Sequence, residues 1–168
     1  MAAGFLARFD KIVEQNRAWD DLEKQGDQYN QQLEKALAER NLTKRAMGFG
    51  TWVGQYKALL SQARSIVETQ NSLVDGLVAD SARITGDANR YAREATDALR
   101  EYIATQRKAI DVAEELIATI ESYVAQPDIA DPKRLEEMTK ALDELNANEK
   151  QAFQRAQDAV VRLRAVAL

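Results

Sequence analysis

Between Tyr56 and Tyr123 the chain can be stepped three and four residues alternately without one change of phase, and sixteen of the twenty positions reached are apolar. A strand needs a period of two. A sustained period of 3.5 instead keeps one stripe of side chains on one side of a helix and holds it against a neighbouring helix. The stripe runs through Leu60, Val67, Val74, Leu77, Ile84, Tyr91, Tyr102 and Leu116, the expected helix–helix seam. Unbroken, a helix over this stretch is about 100 Å long. Gly76 and Gly86 oppose continuity, each costing about 1 kcal/mol in a helix interior relative to alanine. The pair Gly86-Asp87 also reads as a helix-ending glycine followed by an N-cap. The expected fold is therefore all-α in one of two forms. One is an elongated antiparallel helical bundle or coiled coil with one long central helix; the other is an up-down four-helix bundle with a turn near Gly86.

The flanking segments carry stripes of their own. Phe5, Phe9, Ile12, Val13 and Trp19 recur at helical spacing, weaken around Gly26, where Asp27 offers a new cap, and resume at Tyr29, Leu33 and Leu37. Met47 to Thr51, with Gly48 and Gly50, reads as the turn that ends this region. Both prolines of the chain, Pro127 and Pro132, fall in a second connection, and Asp131-Pro132 is a cap followed by proline at the first helical position. The last stripe passes through Leu135, Met138, Leu142, Leu145, Glu149, Ala152, Ala156, Ala159, Leu163 and Val166. One domain over 1–168 follows, with helices at about 3–46, 51–125 and 132–168 and candidate breaks near Gly26 and Gly86. Ala88, Ala95, Ala98 and Ala109 on the seam leave room for close antiparallel packing. A second stripe from Ile103 to Val124 calls for neighbours on two sides.

With no histidine and no cysteine, Ser-His, Cys-His and ordinary zinc arrangements are impossible, and no cofactor or metal is expected. Carboxylates Asp111, Glu114, Glu115 and Glu121 form an acidic face that reads as solvated. Arg93, Arg100 and Arg107 recur every seven residues, but neighbouring acids at i,i+4 make a salt-bridged face the better reading. Gly48, Gly50 and Gly54 lack the spacing and the Lys-Ser/Thr pair of a phosphate loop. The 27 acidic and 23 basic residues, a net charge of −4, are spread almost evenly, so nucleic acid is not an expected partner.

The face formed by Phe5, Phe9, Ile12 and Trp19, with Phe49 and Trp52 further on, is the candidate interaction or membrane surface, although core packing is the favoured reading of its N-terminal part. Gly4 to Asn16 resembles the amphipathic opening of the phage-shock-protein A family of membrane-remodelling proteins. That resemblance implies a helix lying on a membrane, although it covers thirteen residues and the rest of the chain departs from that family's length and proportions. Trp52-Val53-Gly54 resembles the Trp-x-Gly turn of small secreted helical hairpins, which are shorter. Charged residues from Asp10 onward interrupt the N-terminal apolar run, so it fits no export signal and the expected location is the cytoplasm, with a membrane surface as an alternative site. The expected function is that of a non-catalytic helical scaffold or interaction protein acting through self-association or partner-helix binding. The alternative is membrane-surface binding by the N-terminal helix. No small-molecule substrate is evident.

Overall fold

The computed structural model describes residues 2–167, so the expected ends at Met1 and Leu168 lie outside it. Four helices account for almost all of these residues: α1 (Ala2–Leu37), α2 (Leu42–Ser81), α3 (Asp87–Ala125) and α4 (Pro132–Ala167), with a short 3-10 turn at Pro127–Ile129 before α4. No strand occurs among the described residues. Cross-links between helices fix an antiparallel up-down bundle. Arg8 reaches Asp80 while Tyr56 reaches Gly26; Lys57 reaches Glu121 while Arg107 reaches Glu68; Arg134 reaches Glu115 while Arg162 reaches Glu94. The bundle closes where Arg164 of α4 meets Asp10 of α1 at 2.9 Å. Of the two arrangements the sequence permits, the chain takes the one with a turn near Gly86, and the single long central helix is not formed.

That turn spans residues 82–86. Gly86 adopts φ 67° and ψ −154°, a region open essentially to glycine alone. The Asn89 amide donates to the Ser81 and Ile84 carbonyls at 2.7 and 2.9 Å, supplying partners for chain that has left the helix. Nothing lies within 4 Å of a Cβ added at Gly86, so Gly86→Ala meets backbone strain without a clash. Urea unfolding of this variant is expected to show a loss of about 1–3 kcal/mol with an unchanged m-value.

The first connection requires a correction. It lies at residues 38–41, where Asn41 caps α2 by accepting from the Lys44 N–H at 3.1 Å; it does not lie at 47–51. Gly48 and Gly50 sit in the first turns of α2, and Trp52-Val53-Gly54 is helical as well. The glycine at 48 serves packing: a Cβ there would collide with the Cβ of Ala36, so its absence lets α1 and α2 close together beside their connection. Gly26 is likewise no break. It is buried within a continuous α1, and the Tyr56 hydroxyl donates to its carbonyl at 3.2 Å.

The seam is covered by the chain itself. Leu60, Val67, Val74, Leu77, Ile84 and Tyr102 are buried, while Tyr91 and Leu116 are half-buried. Close packing of α3 on α4 is served by small residues on both, Ala92, Ala95, Ala98 and Ala109 on α3 and Ala152, Ala156 and Ala159 on α4, all buried. The N-terminal stripe is core too, with Phe5 and Ile12 wholly enclosed and Phe9, Trp19 and Trp52 nearly so. Phe49 is half-buried and stacks on Trp52, ring centroids 5.9 Å apart. The face expected to meet a partner or a membrane is therefore turned inward, because three other helices offer it a dry neighbour at no cost in exposed surface.

Candidate functional site

Two features of the bundle interior stand apart from ordinary packing. The first is a buried polar layer at mid-height. The Tyr102 hydroxyl donates to Asn16 Oδ1 at 2.7 Å and accepts from Gln70 Nε2 at 3.1 Å and Gln106 Nε2 at 2.8 Å, which uses all of its hydrogen-bonding capacity. Burial pushes its pKa strongly upward, so it stays a neutral donor. The α4 residue Glu149, 3 % exposed, joins this layer. Burial first, and the negative charge of Glu23 second, push its carboxyl up to about 8. At neutral pH it therefore holds its proton. Three buried atoms of this layer have no partner: Gln70 Oε1, Gln106 Oε1 and Glu149 Oε2. A protonated Glu149 has a hydrogen to donate, and the adjacent Gln106 amide has an acceptor lacking one.

The second feature lies beyond this layer, toward the two connections at 38–41 and 126–131. There α1 and α4 part. Past Lys150–Glu23 at 3.9 Å, no hydrogen bond or ion pair joins these helices among the described residues. No residue of α1 after Gly26 is buried, and none of α4 before Glu149. The gap opens a cleft of about 580 Å³ to which all four helices contribute. Its floor is apolar, with Leu59, Leu60 and Ala63 from α2 and Ile110, Ala113 and Ile117 from α3. Its walls carry Trp19, Leu22, Trp52, Tyr56 and Leu142, and its mouth carries Glu23, Asp27, Asn30, Asp143, Asn146 and Lys150. The aromatic side is rigid: Trp52 packs on Tyr56 with centroids 5.0 Å apart, and its indole N–H donates to Asn30 Oδ1 at 3.2 Å.

Apolar faces run out of the cleft along both separated helices. On α1 the spacing from Trp19 through Leu22, Gly26 and Asn30 continues to Leu37, which is 51 % exposed. On α4, Leu135, Met138, Leu142 and Leu145 are only half-buried. Val124 of α3, 58 % exposed, continues the line of Ile117 and Ile120. Comparison with protein-family models, with curated proteins and with solved structures finds no match.

Of the residues singled out in the sequence, Trp19, Trp52, Leu60 and Leu116 come together at the cleft. Phe5, Phe9, Ile12, Val74, Leu77 and Ile84 do not; they fill the closed half nearer the 82–86 turn. Tyr91 lies in that half as well, its ring flanked by the Arg90 and Arg162 guanidiniums at 4.7 and 5.7 Å. The acidic face is tied down by ion pairs. Arg64 grips Asp111 and Glu114 at 2.7 and 2.6 Å and holds the Glu114 carboxyl below its ordinary pKa; Glu115 pairs with Arg134 and Glu121 with Lys57. Among the described residues no group of His, Cys, Asp or Glu could hold a metal ion, and no helix is long and apolar enough to cross a membrane.

Proposed function

We propose that the protein is a non-catalytic helical interaction protein that receives an amphipathic partner helix in the cleft between α1 and α4. The observation that carries this reading is the cleft itself, floored by α2 and α3, together with the incompletely covered apolar residues that continue from it, Leu33 and Leu37 on α1 and Leu135 to Leu145 on α4. The cleft extends over twelve residues of each helix, roughly 16 Å from first to last, which accommodates three turns of an added helix. Side chains at i, i+3/i+4 and i+7 of such a helix would fill the volume that the parted helices leave, the usual mode of helix-in-groove recognition. Self-association through the Tyr56–Tyr123 seam has less support, because the chain's own helices already cover that seam.

The two tryptophans of the chain, Trp19 and Trp52, both line the cleft, so its occupancy can be read from intrinsic fluorescence. Titration with a designed Leu/Gln/Ala amphipathic peptide of about three to four turns is expected to shift the emission saturably. Ala113→Phe, which places a ring over the cleft floor, is expected to abolish the shift without lowering the melting temperature. An emission that stays constant, or a shift that survives Ala113→Phe, would refute this function.

A further inference from the structure

Charge is unevenly divided between the two halves of the bundle. Residues 19–63 and 105–150, which build the cleft half, carry 17 acidic and 12 basic side chains, against 10 and 11 on the remainder. The imbalance reaches the cleft mouth. Glu23, Asp27 and Asp143 stand there against Lys150 alone, and Asp27 and Asp143 have no ion-pair partner among the described residues. Elsewhere on the bundle several interhelical charges are paired, as at Arg64 with Asp111 and Glu114, Arg107 with Glu68, and Arg155 with Glu101.

From this we infer that the partner helix is basic: an amphipathic segment with an apolar stripe for the cleft floor and lysine or arginine along both edges of that stripe. The inference rests on the helix-binding reading above and specifies its chemistry. A helix lying in the groove places its flanking positions, one turn apart, over the rims of α1 and α4. Cationic side chains there would face the two unpaired carboxylates of Asp27 and Asp143 and compete with Lys150 for Glu23. An acidic helix of equal apolarity would meet like charge on both rims, which acts against the wrong partner as strongly as it favours the right one. An extended partner is favoured over a compact ligand because the uncovered apolar surface continues past the cleft to Leu37 on α1 and Leu135 on α4.

Three peptides with one apolar stripe and Lys, Gln or Glu at all other positions separate the claims, read by Trp19 and Trp52 fluorescence. At low ionic strength the lysine peptide is expected to bind about tenfold more tightly than the glutamine peptide and the glutamate peptide more weakly than either. The difference is expected to shrink to about twofold near 0.3 M salt, because salt screens solvent-exposed charges. The triple variant Glu23→Gln, Asp27→Asn, Asp143→Asn is expected to bring the lysine peptide to the affinity of the glutamine peptide and leave the latter unchanged. If all three peptides bind alike, the basic partner is refuted while the cleft reading stands. If none binds, or only the compact cation tetraphenylphosphonium does, the helix-binding reading fails. Lysine-peptide binding that persists in Ala113→Phe is adsorption to an acidic surface, and it too overturns the inference.

Discussion

Glu149→Gln is expected to stabilise the protein by on the order of 4 kcal/mol above pH 8 and to change its stability little near pH 4. The sign follows from the direction of the shift. The carboxyl titrates at its ordinary value, 4.5, in the unfolded chain and at about 8 in the bundle, so the folded state binds the proton more tightly. Below 4.5 both states are protonated and the position carries no penalty. As pH rises through the interval the unfolded chain loses its proton first, and stability falls until the folded carboxyl ionises as well. The charge then sits in a buried layer beside Gln106, facing Glu23 and Asp20, with only Lys150 in opposition. Glutamine has the same shape, never ionises and can donate where the protonated acid donates. Thermal melts of wild type and variant from about pH 4 to pH 9 should diverge steadily, by on the order of ten degrees at the alkaline end. Parallel curves would mean that the carboxyl is hydrated in the fold.

Phe5→Ala is expected to cost about 3–5 kcal/mol, a large share of the roughly 5–15 kcal/mol that holds a domain together. Phe5 is completely buried among the residues of the closed half, away from the cleft. This outcome distinguishes the core role of the N-terminal stripe from the membrane-surface role its amphipathic pattern also allows. A stripe that only touched lipid would lose liposome binding on substitution and leave the melting temperature within a degree or two. The expected result is the reverse: a large drop in melting temperature in the absence of any lipid.

The heptad register was sound as a guide to burial and misleading as a guide to continuity. Its phase passes from Ser81 through Ile84 to Ala88 because Ile84, although in the turn, still points into the core. A five-residue connection happens to preserve the spacing, so an unbroken pattern is no proof of an unbroken helix. Gly48 and Gly50 resemble turn residues by their backbone freedom, whereas the demand at 48 is for absence of bulk against Ala36. The true start of the second helix is marked more quietly, by the cap at Asn41.

The polar layer was partly legible. Gln70 interrupts the seam and Glu149 interrupts the α4 stripe, and a polar residue at a core position asks for a buried partner. Nothing in the sequence pairs them, because the link runs through Tyr102 and Gln106 on a third helix and Asn16 on a fourth. The cleft was not legible at all. The stripe on α1 weakens near Gly26 but resumes, and that on α4 runs on unbroken, into the half where those helices separate, and the separation is a property of how four helices diverge.

The most direct test of the central claim, that the open cleft is where a helix is received, is the nitrogen–proton spectrum of the labelled protein with the lysine-edged peptide. The indole signals of Trp19 and Trp52, together with the backbone amides of Ala113, Ile117, Leu142 and Asn146, are expected to shift together and saturate together, while amides from Gly76 to Ala92 at the opposite end stay in place. Shifts concentrated at that opposite end, or spread evenly over the surface, would contradict it.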